Sequence, residues 1–204
     1  MSAQQTNTET AFASRDVVMA RAADLFADSG YDGVSVREIV EAAGVTKPVL
    51  YYHFGSKEGL ARAILQDLLA ERDARRRSAL SSAKDVREAL AGTAEGLIRL
   101  ALERKGAVVF AFSIWFGSTS LKELLAHANE HDCAVKDEWL EFLGRHGIGA
   151  VAAGRIVRSF WALMLHEVIK IGQFPDVPVD PVHLANEIAG LVLDGAMTSD
   201  TEQR

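Results

Sequence analysis

The stretch from Val34 to Leu60, VSVREIVEAAGVTKPVLYYHFGSKEGL, constrains the fold more than any other part of the chain, because it holds three helix starts in quick succession. Ser35-Val36-Arg37-Glu38 has the form of a capping box, in which the serine oxygen and the glutamate each satisfy a backbone N–H that the first helical turn leaves unpaired. Val36, Ile39, Val40 and Ala43 recur at i, i+3, i+4 and i+7, the spacing of one buried face of a short helix. Gly44 is placed to end that helix in the left-handed region, which a Cβ would penalise. Thr46-Lys47-Pro48 is a second start, since proline in a first turn lacks only an N–H that would have had no partner. The helix it opens, Pro48–Phe54, turns Leu50 and Phe54 inward and leaves Val49, Tyr51, Tyr52 and His53 on other faces. Ser56-Lys57-Glu58 opens a third helix. Two short helices joined by a tight glycine turn form a helix-turn-helix pattern.

The segment GVTKPVLYYHFGSKEGL resembles the recognition-helix segment of tetracycline-repressor (TetR) family transcription regulators. Those carry a Gly-Val turn, a short helix ending in Tyr-x-His/Tyr-Phe, and a Ser/Asn-Lys helix start. The resemblance covers about Ser14 to Leu65, roughly a quarter of the chain. It implies an all-α fold, in which an N-terminal three-helix helix-turn-helix domain is joined by a long helix to a helical ligand-binding and dimerisation domain. The expected division is a disordered tail over 1–13, the DNA-binding domain over 14–60 and the ligand-binding domain over 61–204.

The resemblance also implies roles. Arg37 and Tyr51 contact phosphate, Thr46 and Lys57 do the same at helix N-termini, and His53 touches phosphate rather than a base. Lys47, Pro48, Val49 and Tyr52 lie at the exposed start and outer side of the short helix, where side chains reach base edges. A lysine there pairs with guanine O6 and N7, and Pro48 or Val49 meets a thymine methyl. Phosphate contacts set register and base contacts carry sequence. The alternative for Tyr51 and Tyr52 is packing alone, but two adjacent aromatics in so short a helix cannot both be core.

Charge pulls the other way. The net charge is −6, whereas a basic domain is the usual footprint of a nucleic-acid binder. Within Ser14–Leu60 five basic residues (Arg15, Arg21, Arg37, Lys47, Lys57) face seven acidic ones. Placement offsets the balance, because Arg37, Lys47 and Lys57 all lie at helix starts, where the helix dipole favours phosphate. Non-specific binding is therefore expected to be weak and salt-sensitive. With 49% hydrophobic and 25% charged residues the chain is not a disordered one. No apolar run approaches the ~18 residues of a membrane span. The polar N-terminus lacks the basic-then-apolar order of a signal peptide. A single Cys133 cannot pair within the chain, which fits a reducing cytoplasm.

Ahead of the helix-turn-helix, Ser14 reads as the N-cap of a helix over Arg15–Ser29, closed by Gly30, with Val18, Ala22, Leu25 and Phe26 inward. After it a long helix runs from Lys57 to about Ala79, with Glu58/Arg62, Glu71/Arg75 and Asp73/Arg77 in the favourable acid-to-base order. Arg75-Arg76-Arg77 is expected on a solvated face of that helix, the alternative being a phosphate patch. Further helices are expected near Asp85–Arg104, Ala107–Phe116, Thr119–Arg145, Gly149–Gln173 and Pro181–Thr198, with Asp180-Pro181 as a cap-plus-first-turn pair. The last two are apolar on most sides. Val157, Phe160, Trp161, Met164 and Val168 form one stripe beside Ala162, Leu163, Leu165 and Ile169. Ala185, Ile188, Ala189, Val192 and Ala196 form another beside Leu184, Leu191 and Gly195. Such helices are buried on more than one side, and closed two-fold dimers are the commonest solution. A homodimer through a four-helix bundle of these two helices is expected, as the resemblance also implies.

The aromatic residues of the second half offer two readings. Phe112, Trp115, Phe116, Trp139, Phe160, Trp161 and Met164 form either a pocket for an inducer or ordinary core, and the family resemblance favours the pocket. His166 either orients a ligand there or is a hydrogen-bonded core histidine. His127 and His131 have metal-ligand spacing, but nothing closes a ligand set, and no metal or cofactor is expected. No phosphate loop, nucleophile elbow or zinc-protease motif occurs, so an enzyme has no positive support. The expectation is a cytoplasmic, ligand-responsive repressor, binding double-stranded operator DNA as a dimer and released by a small apolar or aromatic effector. Its rivals are a DNA-binding scaffold controlled by a protein partner and a small helical enzyme.

Overall fold

The computed structural model describes the backbone of residues 3–116, 121–174 and 176–198, with side chains over the same ranges except 3–13, 115–116, 122, 125, 127–131 and 196–198. Among the described residues there are nine helices and no strand. They are α1 (Ala3–Ser29), α2 (Val36–Ala43), α3 (Lys47–Phe54), α4 (Lys57–Ser82), α5 (Val86–Glu103), α6 (Lys105–Phe116), α7 (Lys122–Arg145), α8 (Ala150–Gln173) and α9 (Pro181–Thr198). The chain is all-α, as its patterning implies.

Local chemistry sets most boundaries. Glu38 N donates to Ser35 Oγ at 3.2 Å and Ser35 N donates to Glu38 Oε2 at 2.7 Å, completing the capping box of α2. Gly44 ends α2 at φ 65°, in the left-handed region expected of it. Asp180 Oδ1 accepts from Val182 N at 3.0 Å and His183 N at 3.1 Å, which caps α9 ahead of Pro181. One expected boundary fails. Ser14 is not a cap, because α1 starts at Ala3 and carries Ser14 inside it. The preceding segment has no glycine or proline, so nothing stops the helix from propagating backwards once it is nucleated.

The helices pack into two compact units. The first takes Met1–Leu69 and Arg104–Leu125, so the packing boundary does not coincide with the one expected after residue 60. Its core joins Val18, Ala22 and Phe26 of α1 to Ile39, Leu50, Leu60, Ile64 and Phe110. Burying a ring such as Phe26 contributes roughly 1.5–3 kcal/mol. The Phe26 and Phe110 ring centroids lie 5.0 Å apart, which ties α6 to α1. The two helices meet so closely at Gly106 that a Cβ there would lie 2.9 Å from the Asp24 backbone nitrogen.

The second unit takes Ala70–Glu103 and Ala126–Arg204. Here α5 packs on α8 and α9, and these two on each other. The core includes Leu90, Ile98, Trp139, Ile156, Phe160, Ile188 and Val192. The arginine triplet of α4 corrects the expectation of a solvated face. Arg77 is exposed, but the Arg76 side chain is only 3% exposed and pairs with Glu138 at 2.6 Å and Asp73 at 3.7 Å. Arg75 pairs with Glu71 and with Glu103. No alternation marks a buried guanidinium, because its partner Glu138 stands on α7, far along the chain. Among the described residues no helix is long and apolar enough to cross a membrane.

Candidate nucleic-acid interface

In the first unit α3 exposes Lys47, Pro48, Tyr51 and Tyr52 and half-buries Val49, His53 and Phe54. Leu50 alone among its residues is buried, and it anchors the helix to the core. Tyr51 is 47% and Tyr52 81% exposed, and Lys47 and Pro48 are also exposed. Val49 is half-buried. Exposed tyrosines with no core function are an unfavourable use of apolar surface unless something covers them. Thr46 takes extended N-cap geometry, yet its side chain makes no cap hydrogen bond. Thr46 and Lys47 are exposed at this helix N-terminus, where Pro48 has no N–H and Val49 N donates to Thr46 O at 3.0 Å, so the backbone N–H of Lys47 is the one the first turn leaves for a phosphate.

The cations flanking α3 are held differently from one another. Arg37 Nε donates to Glu41 Oε1 at 2.7 Å, with both side chains largely exposed. Lys47 makes no ion pair with any described residue. Lys57 is half-buried, with its Nζ 4.2 Å from the Tyr31 ring centroid and 5.9 Å from that of Phe26. Burial holds this ammonium below the ordinary lysine range, against the opposing pull of Asp32 and Glu38. The Tyr31 hydroxyl is pushed up by its own burial, with Glu58 and Asp32 adding to the effect. His53 turns back toward the core, and its Nε2 lies 3.2 Å from Ser14 Oγ in hydrogen-bond contact. Ser14 and Tyr31, which by sequence are a cap and a turn residue, thus touch two of the candidate DNA-binding side chains. No periodicity marks either, since both contacts join residues distant in sequence.

The candidate effector residues belong to both units. Phe112 belongs to the first unit and is half-buried; the side chains of Trp115 and Phe116 lie outside the described residues. Trp139, Phe160 and Met164 are buried together in the second unit, with Trp139 5.7 Å from both Phe160 and Phe142, while Trp161 is half-buried beside Phe160. The buried indole Nε1 of Trp139 meets no acceptor among the described residues. His166 is not the hydrogen-bonded core histidine that one of its readings expects. Its side chain is 66% exposed beside Glu167, neither in the aromatic cluster nor in the core, because it falls on the outer face of α8. That face also exposes Val151 and Ala162, and α9 exposes Leu191. The His127 and His131 side chains lie outside the described residues, and no group of metal-ligating side chains occurs among the described ones.

Residues 18–64 match the family model described as bacterial regulatory proteins, tetR family. The chain is 30% identical over 160 residues to the HTH-type transcriptional repressor KstR2 of Rhodococcus jostii, covering 78% of this chain and 67% of that protein. It is 37% identical over 78 residues to the KstR2 of Mycolicibacterium smegmatis, a match that spans only 38% of each chain. Among solved structures, the TetR family transcriptional regulator PfmR from Thermus thermophilus superposes with a TM-score of 0.63 at 25% identity, over 87% of this chain and 97% of that one.

Proposed function

Because the chain belongs to the TetR family of DNA-binding transcriptional regulators, and is not an enzyme, we propose that it is a cytoplasmic, ligand-responsive repressor that binds a palindromic operator as a homodimer. The observation that carries the reading is the exposure of Tyr51 and Tyr52 on a helix anchored through Leu50. In this reading α3 lies in the major groove, where Lys47, Pro48, Val49 and Tyr52 read base edges. Tyr51, Arg37, Thr46, His53 and Lys57 hold the backbone. The outward faces of α8 and α9 supply the dimer contact, supported by the exposure of Val151, Ala162 and Leu191. The two copies then present their α3 helices to successive turns of the groove, about 34 Å apart.

The effector is an apolar or aromatic molecule held by the second unit, and Trp139, Phe160, Trp161 and Met164 are its proposed contacts. The buried indole N–H of Trp139 supports a ligand that carries a hydrogen-bond acceptor. Bound effector shifts the population toward a dimer whose two α3 helices no longer match the groove, and DNA weakens effector binding by the same factor. The test is a titration of the protein, at two salt concentrations, against duplexes it selects from a random-sequence pool. Selective binding that Tyr51→Ala abolishes while circular dichroism stays unchanged is the expected result. Equal affinity for selected and unselected DNA would overturn the reading.

A further inference from the structure

We infer that Tyr31 is a positioning residue for DNA binding, its ring holding the Lys57 ammonium at the start of α4 so that the phosphate contact of that lysine is set before DNA arrives. This rests on the reading of Lys57 as a phosphate ligand given above. Both ends of the lysine are fixed by the first unit. Its backbone is held because α4 starts hard against the end of α3: a Cβ on Gly59 would lie 2.0 Å from the Phe54 carbonyl oxygen. The turn is closed by Gly59 N donating to Ser56 Oγ at 2.9 Å. Its ammonium is held because Nζ stands 4.2 Å from the Tyr31 centroid, and Tyr31 in turn leans on the fully buried Phe26 ring at 5.3 Å. Asp32, Glu38 and Glu58 lie around the pair, but none comes within ion-pair distance of Lys57. The ring, not a carboxylate, therefore fixes the cation. A cation on a π-face keeps its charge and its N–H donors for an incoming phosphate, whereas an ion pair would have to be broken first. A free lysine side chain loses its rotamer freedom on binding; one already laid over a ring has lost much of it on folding.

The experiment is a double-mutant cycle on the full chain. Affinity and its salt slope are read with the selected duplex and with an unselected duplex. Lys57→Met should flatten the salt slope by about 0.9 for each phosphate it no longer neutralises, on both duplexes. Tyr31→Leu should weaken binding about 3–10-fold with Lys57 present and leave it unchanged once Lys57→Met is introduced. Tyr31→Phe, which keeps the ring, should bind as the parent does. An independent readout needs no variant: the Lys57 side-chain methylene protons next to Nζ should be shifted upfield by the ring current in the DNA-free protein. Equal weakening by Tyr31→Leu in both backgrounds, or unshifted methylene protons, would overturn the positioning role. Unchanged binding by Lys57→Met while Tyr51→Ala abolishes it would sink this inference alone. Failure of the parent chain to select any DNA would instead sink the functional reading beneath it.

Discussion

Substituting Gly59 by alanine sets two physical effects of opposite sign against each other. In helical propensity alone the change is favourable, by up to about 1 kcal/mol. The added Cβ, however, would stand 2.0 Å from the Phe54 carbonyl oxygen and 3.2 Å from its carbon, and both are backbone atoms that cannot rotate away. Restoring an ordinary contact of 3.4 Å moves the start of α4 and the end of α3 apart by about 1.4 Å. Overpacking of this kind costs ~1–3 kcal/mol, so with the propensity gain subtracted the net expectation is a loss of up to about 2 kcal/mol and a fall in Tm of up to about 8 °C. DNA affinity should fall with it, because the displacement acts between α3 and Lys57. Thermal unfolding followed by circular dichroism measures the first effect and the duplex titration the second. Gly144→Ala in α7 is the control, since a Cβ there meets nothing within 4 Å and propensity acts alone. A rise in Tm for Gly59→Ala matching that of Gly144→Ala would refute the steric reasoning.

The capping box of α2 and the buried Arg76 set the remaining expectations. The hydrogen bonds from Ser35 hold the Glu38 carboxyl below the ordinary carboxylate range. Its contribution to stability is therefore complete above its unfolded value of about 4.3, and is lost as the pH falls through the lowered folded value. Glu38→Gln should thus differ from the parent in Tm at about pH 6 and converge with it toward about pH 3, while Ser35→Ala should cost about 1 kcal/mol in urea unfolding at neutral pH. In the second unit, Glu138→Gln weakens the ion pair of the buried Arg76 and should cost about 1–3 kcal/mol in the same assay. Arg77→Ala, at an exposed position one residue on, should stay within about 0.5 kcal/mol of the parent.

Local chemistry alone determined the helix-turn-helix. Capping, glycine and proline signals act over three or four residues, and a side chain exposed on a helix too short to bury two aromatics is deducible from spacing. For that reason the bounds of α2 and α9, those of α3 to within one residue, and the outward placement of Tyr51 and Tyr52 are legible in the sequence. Ser14 is not, because a good cap residue caps only where the chain before it leaves the helix, and here nothing breaks it. His166 is not either, because α8 is apolar on most sides, and hydrophobic pattern then cannot say which face turns inward. The remaining features arise between helices distant in sequence. The return of α6 onto α1 rests on Phe26 meeting Phe110 and on the room that Gly106 leaves. The burial of Arg76 depends on where α7 carries Glu138, and the placing of Lys57 on Tyr31 depends on how α4 begins against α3. Such contacts have no period along the chain, because they are fixed by which helix faces pack, and only the tertiary structure decides that.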